Sequence, residues 1–317
     1  MKKLLFIFTI IASTLLSSCN NSNCEITYSS KSCVTLGNVE DWGAEIKSHE
    51  FENGLGKITF NGKVTSVPKS AFKYCAHVKS ITLPNSITSI GFCAFWGCEN
   101  LQTIKLPNNL KTIENGAFSV CTSLTSITIP DSVTSIGEEA FSVCTSLTSI
   151  TIPDSVTSIG GSAFSVCTSL TSITIPDSVT SIGGGTFYNC TSLTSVTIPD
   201  SVTSIGEEAF SVCTSLTSIT IPDSVTSIGE WAFSGCTSLT SITIPNGVTL
   251  IGDWVFYSCI SLKSVYCKAT TPPIGGKAMF TNNAVNRKIY VPRESVEAYK
   301  SAEGWKEYAN YIVGYDF

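Results

Sequence analysis

Apolar residues recur along this chain in one fixed order. Over residues 124–146, LTSITIPDSVTSIGEEAFSVCTS, the apolar positions are Leu124, Ile127, Ile129, Val133, Ile136, Ala140, Phe141 and Cys144, and Ser, Thr, Asp and Glu fill almost every other place. The order returns every 23 residues, most visibly in nine cysteines: Cys75, Cys98, Cys121, Cys144, Cys167, Cys190, Cys213, Cys236 and Cys259. Each follows a phenylalanine by three positions, from Phe72 to Phe256. A period of this length marks a solenoid, in which one supersecondary unit is stacked in series. One copy carries too few large side chains to offset the entropy of ordering its own backbone. Stacked copies cover one another's apolar faces and need a cap at each end.

Within a copy, Ile127 and Ile129 lie two apart, the spacing that sends side chains to one face of a strand. Pro130 ends that strand because it has no amide to donate, and Pro130-Asp131 turns the chain. A second extended piece over residues 133–136 leads through Gly137 to Glu138-Glu139-Ala140-Phe141, which reads as a single helical turn. Repetition of this path predicts a parallel β ladder on one side and short helical turns on the other.

The L-x-x-I-x-I-P strand, the V-x-x-I-G run and the A-F-x-x-C closing segment resemble the BspA-type leucine-rich repeat of bacterial surface proteins over about residues 58–266. Copies near the ends depart from it: Val67-Pro68 and Ile113-Glu114 replace Ile-Gly, and Asn246-Gly247 replaces Asp-Ser. The resemblance implies a capped solenoid of leucine-rich-repeat type. It also implies a non-enzymatic role in adhesion to host matrix proteins or to other cells.

The ends have a different chemistry. Residues 1–18 have the layout of a secretory leader, with Lys2-Lys3, an apolar run too short to span a bilayer, and small residues at its close. Leu16-Ser17-Ser18-Cys19 resembles the bacterial lipobox, which makes Cys19 the expected lipidation site; the competing reading is an ordinary cleaved leader. The expected location is the cell envelope, with the lipid holding the protein at the outer membrane and its bulk exposed. Residues 19–49, polar and rich in Ser and Asn, read as a tether. Residues 50–66 read as an N-terminal cap with the first strand, through a hairpin at Asn53-Gly54. The repeats then fill residues 67–266. Residues 267–317 read as the C-terminal cap, with a strand at 288–291, a helix near 294–302 and a last extended piece at 311–313.

Fourteen cysteines in an exported chain raise the question of a disulfide framework. The register answers it for the nine in the ladder, whose side chains point in parallel into one core and do not face each other. They are expected to be buried free thiols, as is Cys267. Cys24 and Cys33 either pair locally or stay free. Cys93, at the position held by Glu139 and Trp231 in other copies, is the expected exposed thiol.

Nineteen basic and 24 acidic residues give a net charge of −5, which disfavours nucleic acid as a partner. The two histidines, His49 and His77, sit in no nucleophile or metal motif. Gly183-Gly184-Gly185 and Gly275-Gly276-Lys277 lack the order of a phosphate loop. The column Asp131, Asp154, Asp177, Asp200 and Asp223 reads as solvated turn residues, with stacked carboxylates for calcium as the alternative. No catalytic residue, metal or cofactor is therefore expected.

Two surface features remain as candidate binding sites. Ser126, Ser149, Ser172, Ser195 and Ser218 stand beside Thr128, Thr151, Thr174, Thr197 and Thr220 as an outward hydroxyl carpet, which reads either as a solubilising surface or as an adhesive one. Aromatic residues gather where copies vary, at Phe92 and Trp96, at Tyr188, and at Trp231, Trp254 and Tyr257. Three readings follow: a binder of extracellular macromolecules, a structural coat or spacer without a ligand, and an ice-binding protein on the regularity of the hydroxyl columns alone.

Overall fold

The structure, a computed structural model, describes residues 24–317. The leader and Cys19 lie outside the described residues. The chain winds as a parallel β-solenoid whose rungs each have three sides, with hydrogen bonds from rung to rung on each side.

The first side is the expected ladder. Ser126–Thr128 pairs in parallel with Ser149–Thr151, Ser172–Thr174 with Ser195–Thr197, and Ser241–Ile244 with Ser264–Cys267, each residue opposite its counterpart one period on. The second side is a two-residue strand per rung, such as Ser135–Ile136 between Thr112–Ile113 and Ser158–Ile159. The glycine after it is required by close stacking: a Cβ at Gly229 or Gly252 would sit 2.5 Å from the amide nitrogen of the rung below.

The third side corrects the expected helical turn. The amides of Glu139, Phe141 and Val143 donate to the carbonyls of Gly161, Ala163 and Ser165 in the next rung, at 3.0, 2.8 and 2.8 Å. The alternate amides of Ala140, Ser142 and Cys144 turn back to carbonyls three residues earlier. This alternation puts Glu139 and Val143 in the left-handed region, with φ of 54° and 59°. A helical turn would have spent its amides within the rung, whereas these tight turns lend every second amide to the stack.

The core is built from columns. Phenylalanines from Phe72 to Phe280 stack nearly parallel, with centroids 5.2–5.7 Å apart. An edge-on ring closes each end, Trp42 against Phe72 and Tyr308 against Phe280. The ladder cysteines are free and buried, as their register predicts. They also carry a bond that the pattern did not suggest. Each thiol from Cys98 onward donates to the carbonyl of the phenylalanine in the rung below, as Cys144 Sγ does to Phe118 O at 3.2 Å. Burial pushes these thiols up, Cys144 to about 12.

Residues 24–49 are not an open tether. Strand β1 (Glu25–Ser30) buries Ile26, Tyr28 and Ser30 and runs antiparallel to Val78–Thr82 on one edge. On its other edge it meets β3 (Leu55–Phe60), which forms a hairpin with β2 (Ile46–Glu52) through Asn53 and Gly54 at φ of 50° and 82°. The cap thus begins well before residue 50. At the far end Lys288–Pro292 continues the first side, Ile312–Tyr315 pairs with it, and the short helix α1 (Val296–Ser301) seats Tyr299, whose hydroxyl donates to Ala269 O at 2.8 Å.

The second side is interrupted once. Its strands form two five-stranded sheets, and Ser158–Ile159 does not pair with Ser181–Ile182. The amides of Thr157 and Gly160, and of Thr203 and Gly206, bond the rung below, while those of Thr180 and Gly183 do not. A Cβ on Gly183 would stand 3.2 Å from the rung below, against 2.7 Å at Gly206. The gap falls where Gly160-Gly161 and Gly183-Gly184-Gly185 replace the usual Gly-Glu-Glu.

Candidate binding surface

The hydroxyl columns sort into two kinds. Thr134, Thr157, Thr203, Thr226 and Thr249 each donate to the carbonyl one period back, at 3.2–3.3 Å. Thr145, Thr168, Thr191, Thr214 and Thr237 do the same at 3.3–3.4 Å, and Ser132, Ser155, Ser201 and Ser224 staple the turns at 2.6–2.7 Å. These hydroxyls hold rung to rung.

The first-side columns differ. Ser126, Ser149, Ser172, Ser195 and Ser218, with Thr128, Thr151, Thr174, Thr197 and Thr220, are all exposed, and within the described chain none of their hydroxyls has a hydrogen-bond partner. Ser218 and Thr220 keep this register although their rung is not a regular strand. The alternation around buried Ile127, Ile150, Ile173, Val196 and Ile219 fixes the outward direction. The result is a polar, uncharged surface whose donors and acceptors are open to another molecule. A shallow cleft of about 410 Å³ opens at its N-terminal end, lined by Thr103, Lys105, Asn108, Ser126, Thr128 and Pro130.

At its other end the threonine column becomes aromatic. Thr243 pairs with Tyr266 and Tyr266 with Tyr290, whose rings stack at 4.7 Å. Tyr315 meets both edge-on, and Phe317 packs on Tyr315. Tyr315 and Phe317 are 41% and 53% exposed. This cluster escaped sequence reading, yet one period added to Thr243 gives Tyr266.

Trp231, Trp254 and Tyr257 lie elsewhere. They are half-buried on the third side, with the two indoles stacked at 4.7 Å and Tyr257 edge-on to Trp231 at 5.8 Å. Trp231 and Trp254 take the left-handed position, at φ of 57° and 52°. On the same side near the start, Lys69 lies over Phe92, and Lys73 over Tyr74 and Trp96. The candidate residues therefore form two surfaces, the hydroxyl columns on one side and the aromatic groups on another.

The thiols outside the ladder also correct expectation. Cys93 is buried, with its sulfur tucked under Gly116 of the next rung, and burial raises its pKa. Cys33 is the exposed free thiol and so does not pair with Cys24. Among the described residues no three His, Cys, Asp or Glu side chains come together as a metal site.

The sequence profile described as the BspA type leucine rich repeat region (6 copies) matches residues 44–171 and 157–286. A leucine-rich repeat protein from Bacteroides ovatus is 33% identical with a TM-score of 0.68, over 78% of this chain and 62% of that one. The chain thus spans less than two thirds of that relative. The T. pallidum leucine rich repeat protein is 32% identical over 56% of this chain and 73% of that one, with a TM-score of 0.46. A leucine rich cell surface protein from Faecalibacterium prausnitzii is 26% identical over 78% and 86%, with a TM-score of 0.36. No curated protein sequence matches the chain.

Proposed function

Because the chain belongs to the BspA-type leucine-rich-repeat family, we propose that it is a non-enzymatic cell-surface lipoprotein that binds extracellular macromolecules, such as host matrix proteins or surface components of other cells. Lipid on Cys19 ties it to the membrane. Support for the anchor comes from the leader pattern of residues 1–18 and the Leu16-Ser17-Ser18-Cys19 motif at its close. One observation carries the binding role: the first-side hydroxyls from Ser126 to Ser218 and from Thr128 to Thr220 stand exposed in two adjacent columns with no hydrogen-bond partner in the described chain, while the Thr134 and Thr145 columns are spent on the stack. A row of equivalent weak contacts along a rigid face gains affinity through effective concentration.

The test is capture of matrix proteins and bacterial surface components by the mature chain and by a variant carrying Ser172→Lys, Thr174→Lys, Ser195→Lys and Thr197→Lys. These side chains point outward, so the variant should keep its melting temperature and lose most of the captured material. Equal capture by both chains would place binding away from the hydroxyl columns, and none by either would favour a coat or spacer without a ligand. Separately, Cys19→Ala should move the protein out of the detergent phase on phase separation; unchanged partitioning would refute the lipid anchor.

A further inference from the structure

Away from the hydroxyl surface, the N-terminal cap gathers a nucleophile, a base and a hydrogen-bond donor. Cys33, on the loop after β1, is exposed and free. Its sulfur lies 3.6 Å from Nε2 of His49 on β2 and 3.6 Å from the hydroxyl of Tyr28 on β1. Tyr28 Oη and His49 Nε2 are 2.8 Å apart, which closes the triangle.

The surroundings hold this cluster in place. The Tyr28 ring is 2% exposed and lies across Gly56, where any Cβ would overlap it. Phe51 stacks on that ring at 6.2 Å, and His49 meets it edge-on at 5.8 Å. The Val34 amide donates to Tyr28 Oη at 3.2 Å, so the phenol's own proton is left to point at His49 or Cys33. Burial lowers the His49 pKa and raises that of Tyr28 to about 12, so at neutral pH the imidazole is free to accept a proton and the phenol keeps its own. Two of the ionisable groups around the cluster are engaged: Cys75 donates to Thr35 O at 3.7 Å, and Lys57 on β3 is paired with Glu25 at 2.8 Å; Lys31 stands two residues before Cys33. Glu50 and Lys47 flank His49 along β2.

We propose that Cys33 is a thiol–disulfide exchange site that takes low-molecular-weight disulfides. Cys33 S–H gives its proton to His49 Nε2, and the Tyr28 O–H turns to donate to the thiolate. The thiolate attacks one sulfur of the disulfide. A Cys33–sulfur bond forms as the sulfur–sulfur bond of the reagent breaks, and the departing thiolate takes the proton back from His49. The product is a mixed disulfide on Cys33 plus one free small thiol. The exchange is reversible and leaves the solenoid intact.

The test treats the folded full chain with oxidised glutathione across pH 5–9 and maps the adduct by mass spectrometry. One glutathione should appear, on Cys33, and none after Cys33→Ser. His49→Gln and Tyr28→Phe should each slow the reaction on the order of tenfold near neutral pH, the scale on which a positioned base or donor alters thiolate supply. The advantage of the parent over His49→Gln should be largest near neutral pH and shrink toward pH 9, where hydroxide generates thiolate without a positioned base. Melting temperatures show that each variant is folded, and Tyr28→Phe keeps the packed ring should His49→Gln fail to fold. An adduct on another cysteine, a Cys33 rate equal to that of the urea-unfolded chain, or rates unchanged in both variants would overturn the proposal.

Discussion

The column of thiols should make this fold sharply sensitive to alkali. In the unfolded chain a cysteine ionises near its ordinary pKa of about 8.5. In the folded chain burial pushes Cys75 up to about 11 and Cys144, Cys190 and Cys259 up to about 12. Cys98, Cys121, Cys167, Cys213, Cys236 and Cys267 are raised as well, in each case chiefly by desolvation. Below the unfolded pKa both states hold their protons, and this source of stability is whole. Above it the unfolded chain sheds protons that the folded chain keeps, so stability falls with rising pH. Each buried thiol then costs about 1.4 kcal/mol per pH unit. Ten acting together cost on the order of 14 kcal/mol per unit, as much as the whole stability of a typical domain. The assay is the melting temperature in reductant from pH 7 to 11. A flat response to pH 8 and a collapse within roughly one unit above pH 9 are expected. Replacing Cys144, Cys167 and Cys190 with Ala should make the fall about three-tenths shallower. The carbonyls these thiols leave stay satisfied, because the amides of Cys121, Cys144 and Cys167 already donate to them at 3.2–3.3 Å. A melting temperature unchanged to pH 10.5 would refute the reasoning.

Phe164 stacks at 5.6 Å on Phe141 and 5.7 Å on Phe187 with no exposure, so Phe164→Ala should cost about 3–5 kcal/mol in urea unfolding; less than about 1 kcal/mol would mean that the column adds little. Hydrogen exchange should be faster at the Thr180 and Gly183 amides than at Thr203 and Gly206, which bond the rung below; equal protection would close the interruption in the second side. Deleting residues 268–317 removes Phe280 from Phe256 and the strand that covers Ser264–Cys267, so the product should be oligomeric or insoluble; a monomer with unchanged melting temperature would make the segment an independent appendage.

Most of the architecture is legible because one pattern is written many times. The spacing of Ile127 and Ile129 gives the first side, and the Phe and Cys columns follow from register alone. What escaped depends on contacts between rungs. Glu138-Glu139-Ala140-Phe141 reads locally as a helical turn, and only the next rung's carbonyls show why Glu139 instead takes a left-handed turn. Strand β1 hides because Glu25–Ser30 is short and ends in serines, and its burial depends on partners at 55–60 and 78–82. Cys93 was expected outside because Glu139 is outside; a shorter side chain folds under Gly116 where a glutamate must reach solvent. Thr128 and Thr134 read alike in sequence, yet Thr134 is bonded across the rungs and Thr128 is not. Tyr266 was within reach of the same arithmetic that located the serines, whereas Tyr290 lies 24 residues further on and falls outside the 23-residue period.

The central claim is that binding is spread along the first side, and removing whole rungs tests it most directly. Deleting residues 147–169, 147–192 or 147–215 takes out one, two or three units of 23 residues and leaves in place both caps and the aromatic groups at Phe92 and Trp96 and at Trp231, Trp254 and Tyr257. Affinity of each folded variant for the captured partner, measured on a surface dense enough to report avidity, should fall stepwise with the number of units removed. Complete loss on removing the first unit, or full affinity after removing all three, would contradict the account and move the site to a single rung, to the caps or to the aromatic groups.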